Sequence, residues 1–344
     1  MPPPRGGTPG TDVFLAGLLY FDLGFTGLHA APKPGAEVHT EAMGTSPGGI
    51  ANFAVALSRL GLRTSLAACF GDDAWGDRLH RTLGADEGID LSRSRTFADW
   101  PTPVTVALAY DGDRALVTHE QPQPVSQDAL VGQPPPSRAA VVHLGPEPQE
   151  WVGLAHRAGT PVFGDVGWDP TGRWDLAVLD QLTRCHGFFP NAEEAMAYTR
   201  TGTPKDALHR LSERVPLAVV TCGADGAIAV DASTGETAEV AALPVVAVDS
   251  TGAGDVFGAA LVAGSLAGLP LADRLRLAVL VAGLSVRRIG GAAAAPDLRE
   301  LAGWWRATSC STAPGAELLR RDYGFLADFL DGVPDTPTDA GVGP

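Results

Sequence analysis

The stretch Asp249-Ser250-Thr251-Gly252-Ala253-Gly254-Asp255 combines the residue types most able to do chemistry in this 344-residue sequence. Val245-Val246-Ala247-Val248 reads as a strand entering a Gly-rich turn, and the apolar text after Asp255 reads as the helix leaving it. A helix start leaves its first backbone N–H groups without helical partners, at the positive end of the helix dipole. Glycines let a ligand approach that backbone closely. The turn therefore predicts an anion cradle. Asp255 falls in the first helical turn, where a carboxylate would repel a static phosphate. It makes sense as the group that takes a proton from a hydroxyl attacking the phosphorus beside it. The plainer reading is an ordinary helix start with an acid matched to the dipole.

Three more stretches carry possible site chemistry. Gly48-Gly49-Ile50-Ala51-Asn52 puts two glycines and a first-turn amide at a helix start, suited to sugar hydroxyls or simply to a Gly-capped amphipathic helix. Asn191-Ala192-Glu193-Glu194 follows a strand; Asn191 and Glu194 have the spacing of a capping box, or face Mg²⁺ through water, as that hard ion prefers. Thr221-Cys222-Gly223-Ala224-Asp225-Gly226 either flanks a nucleotide or makes a hairpin turn.

These groups need a frame to bring them together. Short apolar runs at 12–20, 64–70, 139–144, 161–165, 186–189 and 217–221 predict buried strands. Between them, helical periodicity runs over Ile50, Phe53, Ala54, Leu57 and Leu60, with Ser46-Pro47-Gly48-Gly49 opening the helix and Gly61 stopping it. Further helices are expected at 74–83 (ending at Gly84), 150–158, 174–184, 192–200, 205–214, 253–267 and 271–288, with one more at 316–330 in the tail. The alternation predicts an α/β fold, doubly wound, with a mostly parallel sheet flanked by helices. Residues 225–248 read as a short antiparallel addition. Segments 22–46 and 92–120 leave the rhythm; the second holds a hairpin signal, Val104–Tyr110, the Asp111-Gly112 turn and Arg114–Thr118. Two such departures are best explained by one shared β lid on a core of 11–21, 47–91 and 121–308, with 1–10 and 331–344 disordered.

Composition excludes several classes. Lys and Arg total 25 against 40 Asp and Glu, a net charge of −15, which argues against nucleic acid or an anionic membrane as partner. No apolar run reaches the roughly 18 residues of a membrane span. The lysines, Lys33 and Lys205, lie outside any P-loop or protein-kinase motif. Cys69, Cys185, Cys222 and Cys310 are far apart and read as reduced thiols, with neither a disulfide frame nor a zinc site. Arg5 followed by Val13–Phe21 imitates a signal peptide, but Asp12 and Asp22 bracket the run and no clear cleavage site follows, so the protein reads as cytoplasmic. Phe21-Asp22-Leu23-Gly24 after the first strand is no dinucleotide fingerprint.

Taken in order, Pro47-Gly48-Gly49-Ile50-Ala51-Asn52, the N-x-x-E at 191–194, the T-x-G-x-x-G at 221–226 and Asp249–Phe257 resemble the ribokinase-like (PfkB) family of carbohydrate and nucleoside kinases over about residues 11–305. The resemblance implies a ribokinase-like fold with a β-sheet lid, and phosphorylation of an alcohol by ATP. It implies Asp255 as general base and the amides of Gly252, Ala253 and Gly254 as anion hole. Asp22, Gly48, Gly49 and Asn52 would meet the sugar hydroxyls, and Thr221, Gly223 and Gly226 would border ATP. Asn191 and Glu194 would associate with Mg²⁺, and Asp249 and Thr251 would match a monovalent-cation site, with use of K⁺ left open. Gly145 stands where many sugar kinases of the family carry a glutamate, and Val279 where an Asn near the nucleotide is common. The acceptor is a small sugar, or a nucleoside stacked on Tyr20, Phe21, Phe25 or Trp100; the same rings also suit strand and lid packing. A non-catalytic binding protein on the same fold is the rival of another class. A phosphosugar acceptor would draw on Arg93, Arg95, Arg114 or Lys33. Lids of this kind often pair between subunits, so a homodimer through the lid is expected.

Overall fold

In the computed structural model, which describes residues 10–110, 113–169 and 171–333, the strands form three sheets. In chain order they are β1 (Thr11–Ala16), β2 (Leu19–Thr26), β3 (Ala42–Gly49), β4 (Thr64–Ala67), β5 (Cys69–Gly71), β6 (Arg95–Phe97), β7 (Val104–Tyr110), β8 (Asp113–His119), β9 (Ser137–His143), β10 (Val162–Asp165), β11 (Gly187–Phe188), β12 (Leu217–Thr221), β13 (Ala227–Asp231) and β14 (Glu236–Val240). The large sheet runs β14-β13-β12-β11-β10-β9-β1-β4 and is parallel from β12 to β4, with β13 and β14 added antiparallel. The small sheet runs β3-β2-β7-β8.

The large sheet is apolar on both faces because helices cover both. Val13 and Leu15 point into the layer formed with Ile50, Phe53 and Leu57, while Phe14 and Ala16 point into the layer built around Trp151. Phe14 meets the edge of Trp151 at 5.6 Å between ring centroids. The chain leaves β1 towards β4 on one side and returns to β9 on the other. This makes β1/β9 a switch point, and in such sheets ligands bind outside the carboxyl ends of the strands there.

Several elements differ from the sequence expectations. The apolar run 12–20 is two strands broken at Gly17-Leu18, so Leu19–Phe21 already belong to the small sheet. Ser46–Gly49 do not open the helix; they end β3, and Ile50–Arg59 is helical. The run 64–70 bends after Ala67, and β5 pairs with β6 in a separate two-stranded sheet, so Arg95–Phe97 are not part of the small sheet. Val245–Val248 pair in no strand, and Val246 is exposed. Gly84 lies inside a π-helical turn, 82–86, instead of ending the helix before it. The segment 174–184 is helical only from Ala177, and its last turn is 3₁₀. Leu298–Cys310 is a helix that the sequence reading passed over, and 316–330 is two short helices parted at Tyr323–Phe325. The Asp111-Gly112 turn, residues 1–9 and residues 334–344 lie outside the described residues.

One polar clasp ties the helix of Asn52 to the segment following the long apolar helices. Arg59 pairs with Glu87 at 2.6 Å and donates to the carbonyls of Ala293 and Ala295 at 2.7 and 2.8 Å. Arg59→Ala strands an acid and two carbonyls. The expected loss is about 2 kcal/mol, below that of a fully buried pair because the guanidinium keeps partial access to water. Urea unfolding of the variant checks it; an unchanged midpoint would contradict it.

Candidate active site

Helix Ala253–Leu266 begins at Gly252, which takes a left-handed conformation (φ 70°). A Cβ on Gly252 would come within 3.1 Å of Asn52, so glycine there keeps the turn and its neighbour in place. Ala253 N–H closes a turn on the Ser250 carbonyl at 3.2 Å, and Val256 N–H bonds Gly252 at 2.9 Å. Among the described residues, the N–H groups of Gly252, Gly254 and Asp255 have no hydrogen-bond partner. The open donors are thus Gly252, Gly254 and Asp255; Ala253, expected among them, is used within the turn.

Asp255 is held from two sides. Its Oδ2 accepts from Asn52 Nδ2 at 2.9 Å, and its Oδ1 lies 3.6 Å from Nε2 of His143. Asn52 is buried in the first turn of helix Ile50–Arg59. Gly49 before it has φ 61°, and a Cβ there would fall 2.4 Å from the Leu18 carbonyl. A Cβ on Gly48 would fall 2.2 Å from the Asp22 carboxylate. The two glycines therefore let strands β2 and β3 of the small sheet bring Asp22 into the electrostatic reach of Asp255.

Carboxylates converge at this edge. Burial and the nearby charge of Asp255 push Asp22 up to about 7, partly offset by the Thr105 hydroxyl. Burial pushes Glu194 up to about 7, with Asp255 again adding to the rise. Asp165, at the end of β10, is raised well above the ordinary range by burial and by the charges of Asp255 and Glu194. Among the described residues no lysine or arginine pairs with Asp22, Asp165, Glu194 or Asp255. So much unpaired acid fits a site that receives a hard cation and hydroxyl groups.

Asn191 and Glu194 form the capping box: Asn191 Oδ1 accepts from Glu194 N–H and Glu194 Oε2 from Asn191 N–H, each at 3.0 Å. The box leaves Oε1 of Glu194 available, so capping and a water-mediated ion are compatible. Thr221 bridges to Asn191 at the end of β12, and Gly223 and Gly226 form the left-handed turn that follows. Asp249 sits below its ordinary pKa; despite burial, it accepts N–H groups from Thr251 (2.9 Å) and Gly290 (3.0 Å). It braces the turn before Gly252, and a monovalent cation there would have to share these oxygens.

The guanidinium of Arg114, on β8 of the small sheet, donates to the Ser250 hydroxyl beside this turn. Arg93 instead donates to the Gln133 carbonyl, and Arg95 stacks over Phe97. Phe21 and Trp100 are buried, Phe21 against Trp75 at 4.7 Å, and Tyr20 donates to Glu120. Phe21 and Trp100 serve packing, while Tyr20 and Phe25 are half-buried. Gly145 offers its carbonyl to Gln181 Nε2, and Val279 is buried. A cavity of about 210 Å³ between Arg63, Arg138, Leu266 and Phe329 lies at the opposite edge of the sheet and gathers no comparable set of groups.

Sequence reasoning missed His143 and Asp165. Neither belongs to a local motif. Each ends a buried parallel strand, and the rule that ligands bind at carboxyl ends was the available signal.

The raised Asp22 has a consequence for stability. Between about pH 4 and 7 the folded protein keeps a proton that the unfolded chain has lost, so this contribution is complete at low pH and fades as pH rises through about 7. Nucleotide-free protein is expected to lose melting temperature from pH 5.5 to 8, with a shallower fall in Asp22→Asn; equal slopes would refute this.

A model of the pfkB family of carbohydrate kinases matches residues 12–298. Ribokinase of Schizosaccharomyces pombe is 30% identical over 292 residues, covering 79% of this chain and 91% of that one. Fructokinase of Klebsiella pneumoniae is 33% identical over 283 residues, 73% of this chain and 89% of that one. Nucleoside kinase of Methanothermobacter thermautotrophicus is 28% identical over 277 residues, 78% and 87% of the two chains. The structure of Arabidopsis thaliana ribokinase complexed with ribose and ATP superposes with a TM-score of 0.68 at 23% identity, over 84% of this chain and 96% of that one, a likeness of fold.

Proposed function

This chain belongs to the pfkB family of carbohydrate kinases, and we propose that it transfers the γ-phosphoryl group of ATP to an alcohol of a small sugar, with Asp255 as general base. The observation that carries this reading is the pairing, on one turn, of three unpartnered amides with a carboxylate oriented by Asn52.

In this reading Asp22 and Asn52 orient the acceptor, with Gly48 and Gly49 leaving room for its hydroxyls. Asp255 takes the proton of the attacking hydroxyl as its oxygen approaches phosphorus, a role worth roughly 10²–10⁴-fold. The N–H groups of Gly252, Gly254 and Asp255 meet the charge on the transferring group, with the helix dipole behind them. With no P-loop lysine, these donors carry the electrostatic load on the protein side. Thr221, Gly223 and Gly226 border the nucleotide. Glu194 and Asn191 would hold Mg²⁺ through water, and the ion supplies charge neutralisation on the phosphates when bound. The small sheet closes over the acceptor and excludes water, so that the alcohol and not water is phosphorylated. Pairing of two copies through the exposed lid residues Met43, Leu116 and Val117 belongs to the same reading.

A sugar is favoured over a nucleoside because Phe21 and Trp100 are buried in packing. The test is an ADP-release screen over pentoses, hexoses, sugar acids and nucleosides with Mg²⁺, with and without K⁺. Acceptor-dependent ADP from a free sugar supports the proposal. Release only with nucleosides would reassign the acceptor, and a lack of ADP release with every alcohol would leave a binding protein.

A further inference from the structure

Beyond phosphoryl transfer, we propose that His143, Asp165 and Asp255 form a site for a divalent transition-metal ion of the zinc or cobalt class, and that its occupation inhibits the enzyme by capturing the oxygen of the base. His143 and Asp165 are register partners at the ends of adjacent parallel strands, β9 and β10, so the backbone fixes them side by side. One ligand atom from each of the three residues lies within 4.8 Å of the others, and His143 Nε2 is 3.6 Å from Asp255 Oδ1. Ligands at about 2.1 Å on one tetrahedral ion stand about 3.4 Å apart, so closure asks each side chain to move inward by about an ångström or less. The Phe53 ring contacts the imidazole at 5.8 Å between centroids. Asn52 occupies Oδ2 of Asp255 and leaves Oδ1 to face the cluster.

Asp165 is the most enclosed of the three, and its carboxylate accepts the backbone N–H of Val166. It is 8% exposed, and no side chain among the described residues donates a hydrogen bond to it. An imidazole with two carboxylates selects ions that accept nitrogen; hard Mg²⁺ prefers oxygen and keeps its water. The imidazole of His143 is what sets this ligand set apart from the all-oxygen surroundings of Glu194, whose charge Asp165 also feels. The inhibitory part rests on Asp255 being the base, whereas the binding part does not.

The test uses the full-length, nucleotide-free protein and Co²⁺ alone, followed by its visible absorption, with Zn²⁺ as competitor. One Co²⁺ per chain is expected, displaced by Zn²⁺ but not by an equal concentration of Mg²⁺. His143→Ala and Asp165→Asn should each weaken binding at least tenfold while keeping the wild-type circular dichroism; His143→Gln serves as a second, size-preserving variant. Zn²⁺ should inhibit turnover competitively with the acceptor, and its inhibition constant should rise in His143→Gln by the same factor as its dissociation constant. Absence of stoichiometric Co²⁺ binding, displacement by equal Mg²⁺, or indifference to all three variants would overturn the site. Binding without competition against the acceptor would overturn the inhibition and leave the site standing.

Discussion

Asp255→Asn is expected to lower turnover at least about 100-fold, the lower range for loss of a general base, while ATP binding stays largely intact. The substitution keeps size and the helix start but removes the proton acceptor. Asn52 Nδ2 now donates to the carboxylate; the amide can offer its own oxygen to that donor, so local packing should survive. The loss should therefore fall on kcat. Steady-state kinetics with a calorimetric measurement of ATP affinity separate the two. Near-normal kcat would remove Asp255 from the role, and loss of ATP binding would point to a structural one.

The second large effect isolates the anion hole. Gly254 has an unpartnered N–H, and a Cβ built on it meets nothing within 4 Å. Proline is tolerated in the first turn of a helix, where its missing N–H is not needed for the helix itself. Gly254→Pro therefore deletes a donor that the proposed function assigns to the phosphoryl group, and Gly254→Ala adds bulk while keeping it. Removal of one such donor costs about 10²–10³ in kcat. The proline variant should lose about that much and the alanine variant little. Equal losses would mean that space at this turn, not the amide, is what matters.

The residues show why part of this was readable from sequence and part was not. The cradle at 252–255 and the box at 191–194 are local, because glycines, an N-cap and a first-turn acid act within one turn, where sequence and structure share the same order. The doubly wound frame was legible for a related reason: strands buried on both faces appear as unbroken apolar runs. The same rule blurred the join at Gly17-Leu18, since two consecutive apolar strands look like one. Arg95–Phe97 looked like lid text because an exposed short strand carries no mark of its partner, which is β5. Leu298–Cys310 carries its own capping box, Asp297 with Glu300, a local mark of a helix start that the letters do display. His143 and Asp165 meet only through the pairing of β9 with β10, a long-range relation that a single chain of letters does not display. The use of Ala253 N–H inside its own turn depends on hydrogen-bond geometry that spacing does not determine.

The most direct measurement is backbone ¹H–¹⁵N NMR of the full chain, titrated with ADP and aluminium fluoride in the presence of Mg²⁺ and an acceptor. The fluoride complex stands in for the phosphoryl group in transfer. The amides of Gly252, Gly254 and Asp255 should move strongly downfield, while that of Ala253, already bonded to Ser250, stays nearly still. If those three resonances do not respond, or Ala253 alone does, the turn at 252–255 does not receive the phosphoryl group.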